Sequence, residues 1–419
     1  MAAWVLLALA PVAAGALLGF ASYYGDHMVL QKEPAGAVVW GYGEPGATVT
    51  LALSREGGIV VMKKLVTVKG PSGTWTAVLE PMAQGGPYEL TAAQGLQNAT
   101  LQDVYFGDVW LCSGQSNMAM TVLQIANASR ELAAAARYPH VRLFAAAPAR
   151  SDVELQDLER IDLPWAVPTA ANLGHGNFTY FSAVCWLLGR ALYDARRYPV
   201  GLVQAAWPGT PIEAWSSRRA LRACGLLEDT GSQLPSGPQA PSVLWNAMVH
   251  PLLRMALRGL AWYQGEANVL LHREQYSCSF PALIADWRRT AHAASAGQSL
   301  PLLPFGFVQH PPPGQADRGP AAAAGCQGGG VRGAVPRVPG AVPGPCHPGG
   351  DQGAAERHLQ PGAALAAEGR GRLRGSLLQP ARVGASAGGG SGVPHGDTGP
   401  GRLRAAGAGL ALRLGRVAL

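Results

Sequence analysis

Gly107-Asp108-Val109-Trp110-Leu111-Cys112-Ser113-Gly114-Gln115-Ser116-Asn117-Met118 runs an apolar stretch, residues 104–111, into a turn of small residues that carries a serine. An apolar strand that ends in such a turn, with a helix to follow, places a hydroxyl at the carboxyl edge of a sheet, where open α/β folds do their chemistry. Gly114 lets the backbone bend sharply, and the N–H of Ser116 faces the space where an oxyanion would form. The bland alternative is a serine that merely caps a helix. What lies on either side of the turn decides between the two.

Downstream, strands and helices alternate. A helix is expected at 119–136 and a short strand at 141–144. Another helix follows at 182–195 and a buried strand at 199–206. The pattern continues with a helix at 246–257, a strand at 259–263, a helix at 280–290 and a strand at 302–308. That rhythm predicts a parallel sheet covered by helices. Upstream, from 20 to 102, short alternating runs at 28–31, 37–41, 47–53, 60–68 and 74–79 are separated by Pro/Gly turns, which predicts a small antiparallel β-sandwich.

The first sixteen residues are apolar and uncharged in side chain, and Val12-Ala13-Ala14 offers a small-x-small cleavage site. This predicts a signal peptide at 1–16, with no membrane span after its removal. Three sequons, at Asn98, Asn127 and Asn177, agree with passage through the secretory pathway. The destination is then the lysosome or the cell exterior. Of the six cysteines, Cys112 and Cys185 sit in apolar runs and are expected as buried thiols, whereas Cys224 and Cys278 lie in polar segments and could pair. No CxxC or clustered histidine pattern predicts a metal site, and no cofactor is expected.

The net charge of +7 is carried entirely by the segment from His310 to Leu419, which holds 12 Arg, no Lys and 5 acidic residues. Residues 1–309 are formally neutral, so nothing about them suggests nucleic acid. In the last 110 residues, 73 are Gly, Ala, Pro or Arg, and Ile, Met, Phe, Tyr and Trp are absent. Such a segment cannot bury a core and is expected to be disordered. Its composition is that of a GC-rich reading frame translated out of register, or of a low-complexity tail. The expected organisation is therefore a leader at 1–16, a β-sandwich domain at 17–103, a sheet domain at 104–309 that is incomplete at its end, and a tail at 310–419.

Two further loops change the odds for Ser116. Trp207-Pro208-Gly209-Thr210-Pro211-Ile212-Glu213-Ala214-Trp215 follows the strand at 199–206, and Trp262-Tyr263-Gln264-Gly265-Glu266-Ala267-Asn268 follows the strand at 259–263. With the serine turn they make three polar, glycine-bearing loops on one rim. In that order, and with the stretch FASYYGDHMVLQKEPAGAVVWGYGEPGATVT ahead of them, they resemble the sialate O-acetylesterases, relatives of the SGNH hydrolases, over residues 20–309.

The resemblance implies an SGNH/flavodoxin-like α/β fold and a serine esterase that removes O-acetyl groups, mainly 9-O, from sialic acids and sialoglycoconjugates without a cofactor. By the same resemblance Ser116 is the nucleophile. Its own N–H, the Gly209 N–H and a side-chain amide from Gln264 or Asn268 are the oxyanion donors. Pro208 stands where relatives carry glycine and can donate nothing.

The family also takes a histidine from a late Asp-x-x-His block, and the 419 residues contain no Asp-x-x-His. His250 and His272 lie within the domain without matching that block and are expected as surface or helix-face residues. A serine without its general base is a weak nucleophile. Impaired or absent activity follows as an expectation, with a catalytically dead O-acetyl-sialoglycan binder or a non-folding product as alternatives.

Overall fold

The structure, a computed structural model, describes residues 17–227 and 236–308. The expected leader and tail, with the histidines at 310, 347, 358 and 395, lie outside the described residues.

Strands come first: β1 (Gly19–Phe20), β2 (Val29–Gln31), β3 (Val38–Tyr42), β4 (Thr48–Arg55), β5 (Ile59–Thr67), β6 (Thr74–Val78), β7 (Gly85–Gln94) and β8 (Gln97–Gly114). β1, β3 and β6 form one antiparallel sheet, and β5, β4, β7 and the first part of β8 form another. Val49, Leu51 and Leu53 alternate with more exposed neighbours along β4. They share a core with Val39, Trp40 and Trp75 of the other sheet, as period-2 patterning requires of two stacked sheets.

β8 runs for 18 residues and belongs to both halves of the molecule. Its early residues pair with β7, and Tyr105 to Gly107 run parallel to β2. From Asp108 to Gly114 it is the centre of the parallel sheet. The expected boundary at 103/104 therefore falls inside a continuous strand.

After β8 come α1 (Ser116–Ala119), α2 (Ala128–Ala134), β9 (Val141–Ala146), β10 (Ile161–Ala166), α3 (Ala170–Leu173), α4 (Ala183–Arg196), β11 (Val200–Ala206), α5 (Arg218–Ala223), β12 (Gly259–Tyr263), α6 (Tyr276–Ala294) and β13 (Phe305–Phe307). The order across this part is β10-β9-β11-β8-β12-β13. All its strands run parallel except β10, which is antiparallel to β9. Every residue of β9 and β11 is buried, the signature of a sheet covered on both faces. α6 explains one cover: Ser279, Leu283, Asp286, Trp287 and Ala291 recur at helical spacing and are buried. Trp287 meets Trp262 of β12 edge-on, with ring centroids 5.5 Å apart.

Several expectations need correction. The helix expected at 119–136 is broken into α1, a 3-10 turn at Val122–Gln124, α2 and a second turn at Ala135–Arg137. Met120 leaves the helical region at ψ 133°, the buried Thr121 hydroxyl donates to the Gly176 carbonyl at 2.7 Å, and Asn127 takes a left-handed conformation. Each interrupts the i→i+4 ladder that apolar periodicity alone suggests.

The helix expected at 246–257 is a π turn, Trp245–Val249, followed by a 3-10 turn, His250–Arg254. Pro251 has no N–H to carry an α-helix through. The helix expected at 280–290 extends to Tyr276–Ala294, and the last strand shrinks to Phe305–Phe307 behind Pro304.

The cysteine reading also changes. Cys224 and Cys278 are bonded as expected, joining the end of α5 to α6. Cys112 and Cys185 are not thiols but a second disulfide, joining β8 to the first turn of α4. Burial in apolar surroundings does not distinguish a thiol from a bridge. The strand–helix packing that brings their Cα atoms to 5.9 Å does.

Candidate active site

The carboxyl ends of β8, β11 and β12 lie side by side and carry the three loops. Trp207 N–H donates to the Gly114 carbonyl at 3.1 Å, and Gln115 N–H donates to the Tyr263 carbonyl at 3.0 Å. The turn after β8 is thus pinned from both neighbours. Gly114 has φ +147° and sits so close to the Tyr263 backbone that a Cβ there would lie 2.1 Å from its carbonyl oxygen. Only glycine fits both constraints.

Ser116 opens α1 and is half-buried. Among the described residues its Oγ has no hydrogen-bond partner, and neither its N–H nor that of Gly209 meets an acceptor. Gly209 stands in the left-handed region at φ +73° with open space around it, while its carbonyl accepts from Gln239. A hydroxyl and two uncommitted N–H groups on adjoining loops are the parts from which acyl-transfer sites are made.

Gln264 and Asn268 occupy the same rim, but their amides are engaged. Gln264 Nε2 has three acceptors: Gln115 Oε1 at 3.2 Å, Thr210 O at 3.1 Å and Asn268 Oδ1 at 2.7 Å. Its Oε1 accepts from the Tyr276 hydroxyl at 3.0 Å. Burial pushes that hydroxyl up to about 12, so Tyr276 stays a donor through the ordinary pH range. Asn268 is 1% exposed; its Oδ1 also accepts from Ile212 N–H, and its Nδ2 donates to Glu213 Oε2 at 2.9 Å and to Leu271 O. In this arrangement the two amides tie the three loops together and have no hydrogen left for an oxyanion.

Residues the sequence reading passed over complete the network. Gln115 accepts from both Gln264 and Ala267 N–H. Glu213, buried at 6% exposure, receives Asn268 on one oxygen and His272 Nδ1 on the other at 3.2 Å. Asn117 donates to Glu266. The only advance signal for Glu213 was its place in the second loop.

His272 is half exposed, with φ +50°, and forms part of the wall of a cleft of about 30 Å³ with Pro211 and Leu271. His250 lies elsewhere: its Nδ1 meets the Leu155 carbonyl at 2.9 Å, and Glu154 is 3.6 Å from its other nitrogen. Neither is within hydrogen-bond distance of Ser116. His175 stacks on Tyr180 at 3.7 Å and contacts Thr179. Asn98, Asn127 and Asn177 are all exposed. Among the described residues no cluster of three or more His, Cys, Asp or Glu could hold a metal, and no helix is long and apolar enough to cross a membrane.

Residues 106–309 match the family described as carbohydrate esterase, sialic acid-specific acetylesterase. The chain is 54% identical over 340 aligned positions to the sialate O-acetylesterase of Rattus norvegicus, covering 73% of this chain and 62% of the rat protein. It is 56% identical over 310 positions to that of Homo sapiens, covering 73% of this chain and 59% of the human protein. The chain thus spans about 60% of the length of these relatives. Among solved structures it is similar to a carbohydrate acetylesterase from Xanthomonas citri, with a TM-score of 0.58 and 30% identity over 70% of this chain and 60% of that one.

Proposed function

We propose that this chain, whose residues 106–309 match the family of sialic acid-specific acetylesterases, carries the nucleophile half of a serine esterase acting on O-acetylated sialic acids, mainly at the 9-hydroxyl. The observation that carries the reading is the uncommitted Ser116 hydroxyl at the end of β8, between two loops that pair with its own turn. Ser116 Oγ attacks the acetyl carbonyl. The oxyanion is met by the Ser116 and Gly209 N–H groups, and the sugar alcohol leaves behind an acetyl-enzyme that water cleaves to acetate. Gln264 and Asn268 act one step back, holding the loops in register through Gln115, Thr210 and Ile212. No cofactor takes part in this scheme. The site lies in a chain of the secretory pathway, delivered to the lysosome or the cell exterior.

The general base is the weak point. No described histidine reaches Ser116, and the sequence holds no Asp-x-x-His. Losing one member of a Ser–His pair removes most of what the pair contributes. Turnover by this chain is therefore slow at best, and binding of the O-acetylated sugar without release of acetate is the alternative outcome. The test is acetate release from 9-O-acetyl-N-acetylneuraminic acid by the chain beside its Ser116→Ala variant. Release that disappears in the variant supports the esterase reading, with His272 on Glu213 the first base to examine. No binding and no release would refute it.

A further inference from the structure

A cavity of about 260 Å³ is walled by Pro148, Ala149, Arg150, Glu159, Arg160 and Trp207. Its place in the sheet follows from the strand ends. The chain leaves β9 through Ala147, whose N–H donates to the Arg160 carbonyl at 3.1 Å just before β10 begins. Arg150 and Arg160 therefore stand at the carboxyl end of β9, two strands from β8, with β11 between. Strand spacing puts that end about 10 Å from the end that carries Ser116. Trp207 bridges the gap, since it forms part of the cavity wall while its own N–H is bonded to Gly114.

The electrostatics of this cavity are unbalanced. Among the described residues Arg150 makes no ion pair or hydrogen bond, and Arg160 makes one long bond, to the Pro148 carbonyl at 3.4 Å. Glu159, also in the wall, is not within ion-pair distance of either. Two guanidinium forks with donors to spare match the two oxygens of a carboxylate. The single carboxylate beside them sets the net charge at one positive unit, which suits a monoanion rather than a phosphate dianion.

We propose that Arg150 and Arg160 form an anionic subsite that receives the C1 carboxylate of a sialic acid whose acetylated tail lies at Ser116. Resting on the esterase reading, the inference adds a basis for choosing an acidic sugar over a neutral O-acetylated one. Both arginines are exposed, so the attraction is screened by salt and works through geometry as much as through charge.

The experiment titrates the Ser116→Ala chain, in which ligand survives, with 9-O-acetyl-N-acetylneuraminic acid and with its methyl ester, followed by calorimetry. The acid is expected to bind about tenfold more tightly than the ester at low salt. The Arg150→Gln/Arg160→Gln double variant should bring the two to equality while leaving ester affinity unchanged, and rising salt should shrink the ratio in the parent alone. Equal affinities in the parent, or a ratio that survives the double substitution, overturn the subsite and leave the esterase reading standing. If neither ligand binds, both fall together.

Discussion

Replacing Gly114 by alanine isolates the constraint that shapes the serine turn. Two costs add. The backbone at φ +147° lies where L residues are seldom found, worth about 1–3 kcal/mol. The new methyl would also stand 2.1 Å from Tyr263 O and 2.7 Å from Tyr263 C, which are backbone atoms of the central sheet and cannot swing aside. Relieving that overlap means moving the end of β12 and loosening the Gln115–Tyr263 hydrogen bond, for about 1–3 kcal/mol more. The sum is about 4 kcal/mol, or a fall in melting temperature of roughly 8–16 °C for a domain of this size.

Gly46→Ala is the control. Its φ of +82° is also left-handed, but nothing lies within 4 Å of the added methyl, so only strain of about 1 kcal/mol is expected. Thermal melts of the two variants side by side measure the packing contribution by difference. If Gly114→Ala costs no more than Gly46→Ala, the claim that β12 crowds the serine turn is wrong.

Three other outcomes follow from the same contacts. Gln264→Ala should lower stability by about 2–3 kcal/mol, because it withdraws a buried amide that serves three acceptors on three loops, and ligand binding at Ser116 should weaken with it; a denaturant titration and the sialic acid titration above read both. Asp286 is buried, which alone would raise its carboxyl, but hydrogen bonds from Arg219, Ser217 and Arg289 hold it below its ordinary value. Its contribution is thus complete above about pH 4 and is lost as pH falls through the lowered value. Melting temperatures between pH 2 and pH 6 should show an acid limb that is reduced in Asp286→Asn, together with a loss of about 1–3 kcal/mol at neutral pH. Removing the unforeseen disulfide by Cys112→Ala/Cys185→Ala opens a loop with a sequence separation of 73 and should cost about 4 kcal/mol on the chain-entropy account; an unchanged denaturation midpoint would mean the cross-link constrains little.

What could be read in advance was what a segment decides for itself. Residues 200–206 are a buried strand because seven consecutive positions exclude polar side chains apart from Gln204, and no partner needs to be known to see that. α4 could be placed to within a residue because its apolar face recurs at helical spacing, and Ser182, which accepts from Cys185 N–H, starts it. The breaks in 119–136 were hidden for the opposite reason. Thr121 leaves the helical path to reach the Gly176 carbonyl, 55 residues away, and no window of local periodicity contains that partner. Cys112 and Cys185 were misread likewise, since the bridge depends on how α4 lies across β8 and not on either flanking run.

The candidate site divides along the same line, and the division bears on mechanism. The position of Ser116 at the end of β8 was legible because a strand, a glycine turn and a helix start are written in consecutive residues. The hydrogen-bond partners of Gln264 and Asn268 were not, because an amide is a free donor or a committed one according to what the other loops offer it. Gln264 Nε2 carries two hydrogens and has three acceptors, while both hydrogens of Asn268 Nδ2 are taken by Glu213 and Leu271. For either amide to serve an oxyanion, a loop bond must first be released, whereas the Ser116 and Gly209 N–H groups need release nothing. Hydrogen-bond accounting therefore favours a backbone oxyanion site. On that account, Gln264→Glu should damage the fold of the rim before it alters the chemistry at Ser116.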